Sequence, residues 1–330
     1  MWGATMLSMV AHISARKGFM PVYLTKALCT AFTITVYRGF MHADTKSLDV
    51  YRMRFPSRRE KLQQRAGLAN DRNLLWSWYE PRNFGDWIGP YLFAKMTGRL
   101  PLHCKPRPGQ RSLAQSTAGV GSILRHIQVA DRVTVWGSGI ISCGDQFARP
   151  REVLAVRGPR TRARLAELGY PLADVFGDPG LLMPLFYTPP VPPDRAKLGI
   201  VPHYLHLKAV RALFADRPEI RVIDATGHIE QVIDDIAACQ HILSSSLHGL
   251  IMADAYGIPC RWMATQPSEH GDDIKYIDYL ESLGVFDIMG PVAITGDMPL
   301  DDLIELAACR SVPETRPLAQ GLLEACPFRR

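Results

Sequence analysis

Segments that read as strands alternate with segments that read as helices on both sides of a proline-rich connector. This predicts an α/β fold of two Rossmann-like domains facing a cleft. Alternation of this kind calls for parallel sheets joined by right-handed crossovers. The connector is TPPVPPD at 188–194, where four prolines in seven residues make a stiff, non-helical stretch. The chain then divides into an N-terminal extension (1–70), a first domain (71–190) and a second domain (191–330).

The elements follow in order. LLWSWYE (74–80) reads as a strand, and Asp86 reads as the N-cap of a helix that runs to Thr97 and stops at Gly98. RVTVWGSGII (132–141) reads as a buried strand breaking into a Gly-Ser-Gly loop, and VLAVR (153–157) as the next strand. Gly158-Pro159 opens a helix that Gly169 closes, with proline at the start and glycine past the end. DVFGDPGLLMP (174–184) reads as a short strand and a turn, with Asp178 as a turn residue. After the connector, KLGIVPHY, RVIDAT, HILSSS and IPCRWM read as strands, and HIEQVIDDIAACQ and LHGLIMADAYG as helices. No internal repeat shows in the sequence.

Composition narrows the class. A chain of 330 residues, 47% apolar and 21% charged, buries a substantial core without staples. Its seven cysteines are scattered, odd in number and without a CxxC pair. That pattern argues against a disulfide framework and a zinc site, and for a reducing compartment. The net charge is +6, and Arg52, Arg54, Arg58, Arg59, Lys61 and Arg65 concentrate the excess early. Such a face attracts anionic surfaces, but no nucleic-acid-binding motif follows it, so no nucleic-acid partner is expected. Ala27 to Tyr37 is apolar for 11 residues, short of the roughly 20 that a spanning helix needs. The expectation is a cytoplasmic protein whose residues 1–70 touch the inner face of the membrane peripherally.

The candidate site residues cluster at predicted strand ends, where sheets of this class bind ligands. SSSLHGLIMADAYGIP (244–259) puts Ser246, Leu247 and His248 where a strand gives way to a helix. Free N–H groups there favour an anion, and a histidine is suited to moving a proton. Asn83, Asp86 and the loop Gly137, Ser138 and Gly139 line the opposite wall, and His203 faces the cleft from the second domain. Plainer readings stand beside these: a cap for Asp86, a strand-to-loop turn for the glycines, and an ordinary surface arginine for Arg157.

The ordered run NFGDWIGPYL, VWGSGI, VRGPRTRARLAELG, GDPGLLMP, GIVPHY and SSLHGLIMADAYGIP resembles the polysaccharide pyruvyl transferase family over about residues 73–330. It is most similar to the bacterial exopolysaccharide branch, the succinoglycan ketal pyruvyl transferases, which the terminal EACPF also resembles. The resemblance implies a two-domain fold similar to the GT-B architecture. It implies transfer of pyruvate from phosphoenolpyruvate, as a ketal, across two hydroxyls of a hexose, with no cofactor beyond that donor and no metal. Carried over by position, it implies His248 and Arg157 as catalytic residues and Lys275, in DDIKYIDYL, as a further cation. The fungal branch has an arginine where this chain has Ser246, so the phosphate charge falls to Arg157 and Lys275. The implied partners are phosphoenolpyruvate and a lipid-linked oligosaccharide acceptor. A GT-B-type glycosyltransferase using a nucleotide-sugar and a non-catalytic saccharide-binding protein are the alternatives. A nicotinamide dehydrogenase is disfavoured because GSGIIS lacks the third glycine of GxGxxG.

Overall fold

The computed structural model describes residues 55, 57–66, 74–77, 82–108, 115–264, 272–288 and 290–328, all within one compact unit. Most of the 1–70 extension, its apolar stretch included, lies outside the described residues. In chain order the regular elements are α1 (Arg58–Arg65), β1 (Leu74–Trp76), α2 (Phe84–Thr97), β2 (Leu102–His103), β3 (Ser116–Ala118), β4 (Val133–Trp136), β5 (Glu152–Ala155) and α3 (Pro159–Glu167). There follow β6 (Ala196–Val201), α4 (Leu207–Leu213), β7 (Ile220–Val222), α5 (Ile229–Ala237), β8 (Cys239–Ser244), α6 (Leu247–Ala255) and β9 (Cys260–Ala264). The last are α7 (Ile274–Ser282), β10 (Val292–Ala293), α8 (Leu300–Ala308) and α9 (Arg316–Glu324).

The strands form two five-stranded sheets, one on each side of the proline connector, and all described pairings are parallel. The first is ordered β2-β1-β3-β4-β5 and the second β7-β6-β8-β9-β10. Numbered from its own first strand, each sheet has the order 2-1-3-4-5. The architecture is thus duplicated although the sequence shows no repeat. In each sheet the direction of winding reverses beside the first strand, and the crevice at such a reversal is where these sheets bind ligands. Each sheet has its own apolar core. Val133, Val135, Val153, Val156 and Leu165 pack in the first, and Leu198, Ile200, Ile220, Leu243 and Leu303 in the second.

Two features join the halves. Helix α2 buries Ile88, Tyr91, Leu92, Phe93 and Ala94 completely. A helix apolar around most of its circumference must be covered on several sides. Its N-terminal amide, from Phe84, donates to the Ala225 carbonyl, and the Tyr91 hydroxyl donates to Glu230 on α5. The chain also returns at its end to the first sheet. The Trp136 indole N–H donates to the Leu322 carbonyl on α9 at 2.9 Å. The Phe328 ring meets Phe93 at 4.9 Å and Trp136 at 5.5 Å, edge to face in both cases.

Three sequence expectations change in detail. The N-cap of α2 is Asn83, whose side chain accepts from the Gly85 amide, and Asp86 lies inside the first turn. Asparagine two residues before a free amide reaches it more directly than an aspartate already inside the helix. The strand expected over 132–141 ends at Trp136, because Gly137 takes a φ of 91° that closes the ladder. DVF contributes only one bridge, Val156 to Phe176, before a 3-10 helix at Pro179–Leu185.

The returning C-terminal segment sets a stability test. Phe328→Ala removes a buried ring from contact with Phe93 and Trp136, and the unfolding free energy should fall by about 3–4 kcal/mol. Urea titration followed by tryptophan fluorescence reads the shift. An unchanged midpoint would mean that this segment does not close the first core.

Candidate functional site

Every sequence-predicted site residue lies beyond the carboxyl end of a strand: Asn83 and Asp86 after β1, Gly137 to Gly139 after β4, Arg157 after β5, His203 after β6, Ser246 to His248 after β8, and Lys275 after β9. The sites of the two sheets meet because the first turn of α2 lies against the first turn of α6. A Cβ built on Gly85 would come within 2.2 Å of His248 Nδ1, so only glycine admits the imidazole at that distance. The Phe84 ring stands edge-on to the imidazole at 6.4 Å.

Local sequence fixes both turns. Pro90 has no N–H to give to the Asp86 carbonyl four residues earlier. The Ser77 hydroxyl, just after β1, donates to that carbonyl instead. The proline therefore ties the turn carrying Asp86 to the strand end. On the other side, Ser244 Oγ accepts from the Ser246 amide and donates to the Val201 carbonyl, and the His203 amide donates to Ser245 Oγ. This serine run joins β6 and β8 at the reversal point. It leaves the N-terminal amides of α6, which have no intrahelical acceptor, at the site.

The electrostatics connect the charged residues. The Asp86 carboxyl is raised from 3.8 to about 6 by burial, against the opposing pull of His248 and Lys275. Lys275 is lowered by burial and then by the positive charge of Arg157, while Asp273 and Asp86 pull it back up. His248 and Lys275 thus lie within electrostatic reach of Asp86, and Arg157 within reach of Lys275, so that charged groups from both halves are coupled.

Arg157 is placed differently from a surface arginine. It is fully buried and its guanidinium is held by protein: Nε donates to Asp278 Oδ2 at 3.1 Å, one terminal nitrogen to the Ile140 carbonyl at 2.6 Å, and the other to Ser122 Oγ. A Cβ on Gly139 would lie 2.4 Å from the Arg157 guanidinium carbon, and one on Gly137 would lie 2.3 Å from Pro179. The room that these glycines leave is filled by protein. The buried Ser138 hydroxyl donates to the Gly121 carbonyl at 2.7 Å. His203 is half-buried, its ring 4.6 Å from that of Tyr204. Ser246 and Leu247 are buried at the start of α6.

The sequence reading missed two carboxylates. Asp278, three residues after Lys275 on α7, binds Arg157 and accepts from both the amide and the hydroxyl of Thr161. Asp178, read as a turn residue, is fully buried and caps the 3-10 helix by accepting from the Gly180 amide. Its other oxygen stands 3.7 Å from His248 Nε2. The signal was the GDPG string itself, since an aspartate before proline is a cap as readily as a turn. Among the described residues no group of three or more His, Cys, Asp and Glu is placed to hold a metal ion. No helix among them is long and apolar enough to cross a membrane.

Asp86 gives a pH test. A carboxyl raised from 3.8 to about 6 by folding favours the folded state most below its unfolded value, and that contribution is lost as the pH rises through about 6. The difference corresponds to about 3 kcal/mol, reduced by screening because the residue keeps some contact with solvent. Asp86→Asn should therefore stabilise the protein by roughly 1–2 kcal/mol at pH 8 and by little at pH 4. Thermal unfolding at the two pH values measures it, and equal effects at both would remove the buried charge from the account.

Residues 132–267 match the family described as polysaccharide pyruvyl transferase. The chain is 29% identical over 161 residues to an uncharacterized protein of Acanthamoeba polyphaga mimivirus, covering 46% of this chain and 55% of that protein. It is 28% identical over 218 residues to the succinoglycan biosynthesis protein ExoV of Rhizobium meliloti (strain 1021), covering 62% of each. The chain therefore spans less than two thirds of the length of both relatives. No solved structure matches it.

Proposed function

We propose, on the premise that residues 132–267 are those of the polysaccharide pyruvyl transferase family, that this protein transfers a pyruvyl group from phosphoenolpyruvate to two hydroxyls of a hexose in an exopolysaccharide repeat unit. The observation that carries the proposal is the packing of the Gly85–Asp86 turn on His248, which lies with Arg157 inside the matched span, while Asp86 and Lys275 flank that span and lie within electrostatic reach of one another. The relative named for succinoglycan biosynthesis supports the exopolysaccharide setting.

The chemistry suits these groups. Protonation of the methylene carbon of phosphoenolpyruvate makes it a methyl group and leaves the adjacent carbon electrophilic. The first hydroxyl adds to that carbon and loses its proton. Phosphate then leaves with the C–O bonding electrons, the second hydroxyl adds, and its proton departs with phosphate. His248 donates the first proton and recovers one from the attacking hydroxyl, the general acid–base role that an imidazole with two ring nitrogens can fill. Lys275 and the N-terminal amides of α6 face the phosphate and carboxylate. Arg157, held on three sides, contributes its fixed positive charge and shapes the loop around it. The acceptor is carried on a lipid, and the basic stretch 52–65 approaches the anionic surface that bears it.

Phosphate release from phosphoenolpyruvate, run against a panel of lipid-linked oligosaccharides, tests the reaction. His248→Ala should fold normally and lower turnover by roughly a hundred- to ten-thousand-fold. Near-normal pyruvylation by the folded variant would remove the histidine from the chemistry. Arg157→Ala is a poor probe, because it strands the buried Asp278 carboxylate. Membrane approach is tested apart from catalysis by sedimentation with anionic vesicles. Full-length protein should co-sediment more than a protein beginning at residue 71, and equal binding would contradict the lipid-surface role of the extension.

A further inference from the structure

Two buried polar atoms face each other across the junction of the halves, and neither has a hydrogen-bond partner. They are Asp178 Oδ2 and His248 Nε2, 3.7 Å apart. Native proteins seldom leave a buried carboxylate oxygen or a ring nitrogen unsatisfied, so a facing pair of them marks a contact made in another protonation or ligand state. The pair is held from both sides. Asp178 caps the 3-10 helix through its other oxygen at 2.8 Å. Gly180, two residues on, packs that helix directly on Ile251 and Met252 of α6, the helix that carries His248. The opposite edge of the imidazole, at Nδ1, lies over Gly85 beside Asp86.

We infer that Asp178 is the positioning residue for His248: its carboxylate accepts the Nε2 proton, fixes the imidazole tautomer and leaves Nδ1 to exchange a proton with substrate. This rests on the acid/base role assigned to His248 above. In the cycle, the imidazolium gives its Nδ1 proton to the methylene carbon and Nδ1 recovers one from the first attacking hydroxyl. Asp178 stays ionised throughout and holds Nε2–H, so no proton accumulates at the carboxylate. The charged groups that face His248 are Asp178 from the 3-10 helix and Asp86 from α2, with Lys275 and Arg157 beyond Asp86. Asp178 comes from the half before the connector and His248 from the half after it, so the acid/base unit exists only when the halves are joined.

Nitrogen NMR of the full chain, with imidazole-labelled histidine, reads the tautomer without substrate. His248→Gln identifies the signal among the ten histidines. The neutral His248 ring should carry its proton on Nε2, and Asp178→Asn, which preserves the cap, should shift the population toward the Nδ1–H form. In phosphate-release assays with phosphoenolpyruvate, Asp178→Asn should lower kcat by roughly 10²–10⁴-fold with KM changed far less. The alkaline limb of its kcat profile should move to lower pH by on the order of one unit, because the imidazolium loses its counter-charge. Asp178→Glu should recover part of the rate. A wild-type ring protonated on Nδ1, or a tautomer and pH limb unmoved in Asp178→Asn, overturns the inference and leaves Asp178 as a cap alone. If the wild-type protein releases no phosphate while the tautomer behaves as stated, the pair stands and pyruvyl transfer falls.

Discussion

The buried ion pair between Arg157 and Asp278 is the constraint on which the rest of the site depends. Both side chains are wholly removed from solvent, and each comes from a different half of the fold. Taking two charges out of water is expensive, and only a full set of partners offsets it. That set is present: Asp278 also receives the amide and hydroxyl of Thr161, and Arg157 also donates to Ile140 and Ser122. Gly158 lets the Asp278 backbone approach, since a Cβ there would meet its carbonyl oxygen at 1.8 Å. The partly exposed pair Arg160–Glu281 extends the same seam. With α7 fixed against α3 in this way, Lys275 is delivered one turn earlier, within reach of Asp86.

The duplicated strand order explains why the chemistry gathers where it does. Each sheet alone offers a crevice at its reversal point, lined by backbone and a few polar side chains. Placing the first turn of α2 against the first turn of α6 brings the two crevices together, and Gly85 makes that contact close. Acidic and basic groups from the two sheets then share a site from which much of the water is excluded. This is why the Asp86 carboxyl is pushed up toward neutrality despite the opposing pull of His248 and Lys275.

Much of this was legible in the sequence, and the failures have physical causes. The alternation of strands and helices, the proline connector and the strand-to-helix junction at His248 all follow from local signals. The sequence also placed Asn83, Asp86, Arg157 and His248 beside strand ends, while Lys275 came from the resemblance alone. It did not show that the two halves share one topology, because strand order is set by tertiary crossovers rather than by local composition. Asp86 was misread as a cap because its turn chemistry resembles that of Asn83 three residues earlier. The plainer reading of Arg157, as an ordinary surface arginine at a strand end, fails because its burial depends on Asp278, 121 residues away. Asp178 was hidden for the same reason: a turn aspartate is buried only when another helix, here α6, packs over it.

The return of the C-terminal segment to the first sheet bears on how the chain is made. Trp136 receives its hydrogen-bond acceptor from Leu322, 186 residues later, and its aromatic neighbour from Phe328. The first sheet can form its parallel ladder early during synthesis, but Trp136 and Phe93 stay uncovered until residues 316–328 have emerged. Contacts so distant in sequence form slowly, and an uncovered apolar face invites association meanwhile. Native closure of the first half is therefore a late event, and the nascent chain carries an exposed aromatic surface from the synthesis of Trp136 until that of Phe328.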